Sequence, residues 1–219
     1  MNKEELLKNK LIDAFKINMH SISDINELEI YNIYEFGSKV YGVSTIYSDE
    51  DYILIYSNFA NSPRETAYDF KNEKISINAY RIDYFIKLLF KHQINCMECI
   101  YLPEQFILKE IIKFNIPINK YQLRNSISKI VSNSWVKCKK KLEKEHEYYI
   151  GKKSLYHSFR ILDYGIQIAK YNKIRLYTYQ NLWNEIILSE ENSWKYFDNK
   201  YRILHNKLEH EFKLLSPKI

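Results

Sequence analysis

The chain of 219 residues is poor in cysteine, glycine and proline, with three, four and four of them respectively. Three cysteines cannot build the disulfide framework of a small secreted protein, and an odd number leaves at least one thiol unpaired. No apolar run approaches the roughly 20 residues that a membrane-spanning helix needs, and the first residues lack the apolar stretch of a secretory signal. We therefore expect a cytoplasmic protein that does not associate with a membrane.

The composition is otherwise that of a globular protein, with 46% hydrophobic and 27% charged residues. The formal net charge is +6, and the isoelectric point is about 8.9. A basic chain suits a polyanionic partner such as a nucleotide or RNA, but many proteins without such a partner are equally basic. The charge therefore permits a nucleic-acid function without indicating one.

The hydrophobic pattern divides the chain into a mixed part, residues 1–120, and a helical part, residues 121–219. Alternating or wholly apolar segments predict strands at 29–36, 52–56 and 74–80, and helical periodicity predicts helices at 3–18 and 82–91. The second part shows only helical patterns, at 123–149, 152–171, 178–189 and 193–214. We expect an α+β fold, in which a small mixed sheet is followed by a C-terminal helical bundle.

Two of the four glycines, Gly37 and Gly42, lie in one short segment directly after a predicted strand. Glycine allows the backbone to come close to a ligand, and the N–H groups that follow it can bind phosphate oxygens. The Ser38 hydroxyl adds a donor, and Lys39 could neutralise phosphate charge. We interpret Gly37, Ser38 and Lys39 as a nucleotide-binding turn.

Acidic residues Asp49 and Asp51 precede the apolar segment 52–56. Alternate residues of a strand point to the same side, so these two carboxylates are expected to converge while Glu50 faces away. Converging carboxylates repel each other unless a cation lies between them, and Mg²⁺ (or Mn²⁺) fills this role where phosphates complete its coordination. The pattern predicts a catalytic metal site; the alternative is a turn followed by two exposed acids at the start of a strand.

The combination of Gly-Ser, ten intervening residues and Asp-x-Asp before an apolar strand resembles the signature of the DNA polymerase β-type nucleotidyltransferase superfamily. The longer string Glu-x-Gly-Ser-Lys-x-Tyr-Gly…Ser-Asp-x-Asp is most similar to the predicted nucleotidyltransferases associated with RNA repair, which typically have Arg where Lys39 stands. Two further segments agree, 80–98 and 156–162, so the resemblance covers about residues 30 to 170.

This resemblance implies a sheet of the polymerase β type and a metal-dependent transfer of a nucleoside monophosphate. An NTP, ATP among the candidates, would place its triphosphate on the Gly-Ser turn, and the carboxylates would bind two metal ions. The acceptor would be a hydroxyl of an RNA end, a protein side chain or a small molecule. The association with RNA repair favours RNA.

The superfamily usually has a third carboxylate on a later strand, and the resemblance puts that position near Ser76 or Asn78. Neither is acidic; the nearby acids are Asp69, Glu73 and Glu98, of which Glu98 matches a family position on a predicted helix. Two other functions therefore stay open. One is a catalytically inactive fold that binds nucleotide or RNA, and the other is an interaction protein of the toxin–antitoxin kind.

In the helical part, Lys153, His157, Arg160 and Tyr164 are spaced to share one face of a helix. The resemblance includes His157 and Arg160, which implies that these two side chains contribute to nucleotide binding. The alternative is an ordinary solvated stripe.

Two further groups have a functional and a plainer interpretation. Cys96 and Cys99, with His92 before them, suggest zinc, but a fourth ligand has no clear source and partly buried thiols are the plainer alternative. Lys137 and 139–141 suit RNA phosphates, but the glutamates that follow them equally suit a charged, exposed helix face.

Overall fold

The computed structural model describes residues 2–18, 28–58, 65–70, 74–177 and 179–218, without the side chains of 15–18 and 65–70. The chain divides into two compact units. The first comprises Met1–Phe90 and Asn95–Ile116, and the second comprises Lys91–Ile94 and Pro117–Ile219.

The first unit is built on a five-stranded mixed sheet with the strand order β3-β4-β2-β1-β5. Strands β2 and β4 are parallel, and the other neighbouring pairs are antiparallel. The elements in chain order are α1 Lys3–Asn18, β1 Ile30–Phe36, β2 Glu50–Tyr56, β3 Glu65–Phe70, β4 Ile75–Arg81, α2 Ile82–Phe90, α3 Ile94–Ile100 and β5 Ile107–Glu110.

One face of this sheet forms a hydrophobic core with α1. Leu7 and Leu11 of the helix are fully buried in one cluster with sheet residues such as Leu54 and Ile77. The apolar segment of β2 is buried along its whole length, from Tyr52 to Tyr56. A strand covered on both faces needs such a continuous apolar segment, and the prediction of a buried central strand is confirmed.

Strands β3 and β5 were not predicted from the sequence. Both lie at the edges of the sheet, and in β5 partly buried residues alternate with exposed ones. An edge strand gains its stability from backbone pairing with one neighbour and needs few apolar side chains. Its hydrophobic pattern is correspondingly weak.

The described residues of the second unit form four helices: α4 Lys120–Glu143, α5 Tyr148–Tyr171, α6 Gln180–Ile187 and α7 Trp194–Leu215. Asn119 and Ser193 cap α4 and α7, because their side chains accept hydrogen bonds from the backbone N–H groups of the first turn. The predicted helix 123–149 is wrong at its end. α4 stops at Glu143, and His146 has a left-handed φ of 54°, which a continuous helix does not allow.

Together these elements confirm the predicted α+β class, a mixed sheet followed in sequence by a bundle of helices. None of the described helices combines the length and apolarity needed to cross a membrane.

Candidate functional site

The glycine-containing segment forms a tight turn directly after β1. Residues Gly37–Lys39 make a single 3-10 turn, and Val43 N–H donates to Ser38 O at 2.9 Å. Gly37 has a φ of 72° and Gly42 a φ of 69°, both in the left-handed region that favours glycine. These two glycines therefore lie where the backbone requires them.

Asp51 lies directly against this turn. Its neighbour across the antiparallel ladder of β1 and β2 is Phe36, the residue before Gly37. A Cβ atom added to Gly37 would come within 2.0 Å of Asp51 Oδ2, a distance that no real Cβ contact shows. Only glycine fits at this position without a shift of the Asp51 carboxylate. The two parts of the motif, separated in sequence, thus meet in space.

The two other acids of this segment have different surroundings. β2 begins at Glu50, so Asp49 precedes the strand instead of belonging to it, and its side chain is exposed. Glu50 accepts a hydrogen bond from the Tyr52 hydroxyl at 2.8 Å and pairs with Lys3, which lowers the pKa of the Glu50 carboxyl. Glu50 thereby faces α1, as strand alternation predicts.

Lys39 forms an ion pair within the same segment. Its Nζ lies 2.5 Å from Glu35 Oε1, and the Glu35 residue is 7% exposed. Half of the Lys39 side chain remains exposed. Its role in phosphate binding stays a prediction, and a bound phosphate would compete with Glu35 for the ammonium group.

The position that the resemblance identifies for a third carboxylate lies beside Asp51. In the parallel ladder of β2 and β4, Asp51 pairs with Ser76 and Ile53 pairs with Asn78. On the β4 side, the neighbour of Asp51 is therefore a serine, where the resemblance expects an acid. The backbone of Asp69 in β3 pairs with Ser76 from the other side, whereas Glu73 lies outside the described residues.

In the described ranges, no three or more His, Cys, Asp or Glu side chains are grouped so as to hold a metal ion. The remaining acidic candidate, Glu98, lies on α3, as the predicted helix requires, and is 2% exposed. Its Oε2 accepts a hydrogen bond from the Tyr41 hydroxyl at 2.6 Å. Glu98 is thus a buried hydrogen-bond acceptor inside the first unit.

The candidates on α5 lie partly in the interior. Ser134 Oγ and His157 Nδ1 are 2.9 Å apart, and burial lowers the pKa of His157 to about 3, so the ring is neutral at neutral pH. Arg160 is 4% exposed and lies over the Tyr164 ring, 5.0 Å from its centroid. Tyr164 is fully buried, whereas Lys153 is exposed. A solvated stripe is therefore the wrong interpretation for Arg160 and Tyr164. The nucleotide-binding role of His157 and Arg160 stays a prediction.

Another histidine of the bundle, His205 on α7, is buried, and no motif revealed it. Its Nε2 lies 3.0 Å from Ser158 Oγ, and its ring lies 4.0 Å from the Trp135 ring. Burial lowers its pKa to about 4. His205 lies on the apolar face of the amphipathic helix α7, and this position in the helical period was the only sequence signal that could have placed it in the core.

The thiols near α3 do not support the zinc interpretation. Cys96 and Cys99 are buried and form no disulfide among the described residues, and Cys99 Sγ donates to Asn95 O at 3.2 Å. Burial raises the pKa of Cys99 well above its ordinary value, which opposes the thiolate that zinc requires. His92 Nε2 accepts a hydrogen bond from Asn119 N–H at 2.9 Å.

The lysines at the end of α4 pair with the glutamates that follow them. Lys140 Nζ lies 2.5 Å from Glu145, and Lys141 Nζ lies 2.8 Å from Glu147. These ion pairs favour the interpretation as a charged, exposed helix face over an RNA-binding patch.

No protein-family model matches the chain, and a search of curated proteins finds no match. Among solved structures, the chain is similar to a nucleotidyltransferase-like protein from Exiguobacterium sibiricum 255-15, with 12% sequence identity and a TM-score of 0.35 over 96% of this chain and 76% of that chain. A structural similarity this weak does not indicate a function. The function proposed below rests on the residues of the site.

Proposed function

We propose that the first unit is a metal-dependent nucleotidyltransferase, which transfers a nucleoside monophosphate from an NTP to a hydroxyl acceptor. The contact between Gly37 and the Asp51 carboxylate carries this proposal. It joins a turn suited to phosphate and an acid suited to a cation, the two groups that a bound metal–NTP complex needs within reach of each other.

In this proposal Asp49 and Asp51 hold Mg²⁺ or Mn²⁺, and Gly37 and Ser38 hold the triphosphate. Carboxylate oxygens are the ligands that these hard cations prefer, and the exposed Asp49 lies two residues from Asp51. When bound, the cation would supply charge neutralisation on the phosphates and activation of the attacking hydroxyl. The protein residues themselves would orient the NTP without forming a covalent intermediate.

We further propose an RNA end as the acceptor, with a protein hydroxyl as the alternative. The support is the resemblance to nucleotidyltransferases associated with RNA repair, and the net charge of +6 is compatible with such an acceptor.

A second candidate function is nucleotide binding without turnover. The pairing of Asp51 with Ser76 favours it, because a serine stands where the resemblance requires an acid. A lost anionic ligand weakens metal binding at the position that would activate the acceptor hydroxyl.

The test is NTP binding and label transfer from α-labelled NTPs, to RNA and to the protein itself, with Mg²⁺ and with Mn²⁺. Asp49→Asn and Asp51→Asn should each reduce metal-dependent NTP binding and transfer at least about tenfold, as expected for a lost anionic ligand. Glu50→Gln is the matched control, because it removes one negative charge from the same segment on the side that faces α1. It should leave binding and transfer near the wild-type level.

The outcomes separate the two candidates. Metal-dependent binding without transfer of label would favour the binding protein over the enzyme. If no NTP bound in the presence of either metal, both candidates would be wrong.

A further inference from the structure

We propose that Glu98 is a positioning residue that holds the turn 37–43 in its nucleotide-binding form through the hydroxyl of Tyr41. This inference rests on the proposed function of that turn. It assigns a role to a buried acid that neither the motif nor the candidate metal site uses.

The contact itself is short and protected from water. Tyr41 Oη donates to Glu98 Oε2 at 2.6 Å, and the two residues are 7% and 2% exposed. Burying a carboxyl group is unfavourable unless hydrogen bonds compensate for the lost water. The hydrogen bond from Tyr41 supplies part of this compensation and fixes the position of the Tyr41 hydroxyl relative to α3.

Tyr41 is joined to both parts of the candidate site. Its backbone N–H donates to Gly37 O at 3.3 Å, which closes the turn. Its ring makes an edge contact with Phe36 at a centroid distance of 6.0 Å, and Phe36 pairs with Asp51 across the ladder. A displaced Tyr41 ring would therefore disturb the backbone that bears the candidate phosphate turn and the neighbour of the candidate metal ligand.

The helix that carries Glu98 is itself well anchored. Asn95 Nδ2 donates to the Tyr80 hydroxyl at 2.7 Å, at the end of β4. Cys96 and Met97 are fully buried. Helix α3 thus provides a fixed support from which Glu98 reaches the turn, and Glu98 acts on the site through Tyr41.

The test uses Tyr41→Phe, which removes only the hydroxyl, in the full chain. Hydrogen exchange of the backbone amides of 37–43 should be faster than in the wild type, while the amides of α4 and α5 exchange unchanged. The dissociation constant for Mg²⁺–NTP should rise about two- to twelvefold, the range expected when one intramolecular hydrogen bond is lost.

Two companion variants keep the test specific. Glu98→Gln keeps an oxygen that can accept from Tyr41, so exchange and affinity should lie between the wild type and Tyr41→Phe. Tyr47→Phe removes a hydroxyl from the same connection between β1 and β2, at a residue that is 79% exposed. It should leave both measurements unchanged.

The experiment distinguishes a failure of the positioning role from a failure of the proposed function. If the wild type binds Mg²⁺–NTP and Tyr41→Phe binds it equally tightly, this inference is wrong, whether or not hydrogen exchange is faster. The proposed function then stands. If the wild type binds no NTP, the proposed function is wrong and the positioning role falls with it.

Discussion

The two units of the molecule place their functional candidates in opposite environments. In the first unit, Asp49 is exposed and Asp51 partly buried, at the end of a strand next to a glycine turn. In the second unit, Arg160 is 4% exposed and His157 is partly buried. Strand ends and their loops present side chains to solvent, where a cation or nucleotide can reach them. The interior of a helical bundle instead requires that each polar group find a partner within the protein.

Two serine–histidine pairs of the bundle meet this requirement. Ser134 faces His157 at 2.9 Å, and Ser158 faces His205 at 3.0 Å. Because burial lowers the pKa of both histidines, the rings stay neutral and act as hydrogen-bonding groups of the core. The same residue types that suggest chemistry in a sequence thus stabilise the fold in this unit.

The largest expected effect comes from Gly37→Ala, which would break the contact that distinguishes the first unit. The added Cβ would collide with Asp51 Oδ2 at 2.0 Å and also impose a left-handed conformation on alanine. We expect a loss of about 2–5 kcal/mol in the free energy of unfolding and a loss of NTP binding. Urea unfolding followed by circular dichroism measures the first quantity.

Gly42→Ala is the matched control for this prediction. Gly42 has nearly the same left-handed φ, 69°, and is exposed. It should cost only the conformational part, about 1–2 kcal/mol. Equal losses for the two variants would contradict the role assigned to the Asp51 contact.

The next effect concerns the acid sensitivity of the second unit. The pKa of His205 is about 4 in the folded protein and ~6.5 in an unfolded chain. Between these values the unfolded chain binds more protons, so stability is complete above ~pH 6.5 and falls as the pH decreases. Each pH unit in this window should remove up to about 1.4 kcal/mol for this residue, and roughly 2 kcal/mol by pH 5.

Tryptophan fluorescence during urea unfolding measures this effect in the right unit, because all three tryptophans, Trp135, Trp183 and Trp194, belong to it. His205→Gln keeps a hydrogen-bonding group near Ser158 but does not titrate. It should weaken the dependence on pH below ~6.5. Identical slopes for this variant and the wild type would refute the assignment.

A smaller effect is expected from Ser76→Asp, which would sharpen the comparison by adding an acid beside Asp51. An additional anionic ligand should raise the affinity for Mn²⁺ about tenfold, measured by calorimetry. Without metal the same variant should be less stable than the wild type, because like charges at close range repel each other.

Asn78→Asp provides the comparison for that variant, because Asn78 pairs with Ile53, farther along the strand. It should change the affinity for Mn²⁺ much less than Ser76→Asp does. An equal gain from both variants would indicate a general effect of charge instead of a ligand at the site.

The smallest effect is expected at the surface of the second unit. The neighbouring Lys140 and Lys141 lower the pKa of Glu145 to about 2, but these groups lie at the surface, where salt screens them. Lys141→Gln should shift the melting temperature only slightly, less at high than at low salt, and should leave RNA affinity unchanged. A clear loss of RNA affinity would restore the alternative of an RNA-binding patch.

Strong local patterns made much of the fold predictable. The continuous apolar segment of β2 and the helical periodicity of α5 are properties of neighbouring residues, and both elements formed as expected. β3 and β5 escaped prediction because edge strands are specified by backbone pairing with distant segments. The end of α4 depended on the left-handed conformation of His146, a residue with no strong local signal.

By itself the sequence determined which residues could form a nucleotide and metal site. Glycine is the residue that most readily adopts a left-handed turn, and carboxylates are the side chains that hard cations prefer. Only the tertiary structure decided how those residues are arranged. It brought Asp51 against Gly37, placed Ser76 beside Asp51, and turned Glu98 towards Tyr41. Strand register and helix packing join segments far apart in the chain, and the distances that they set are not encoded in the spacing of residues along it.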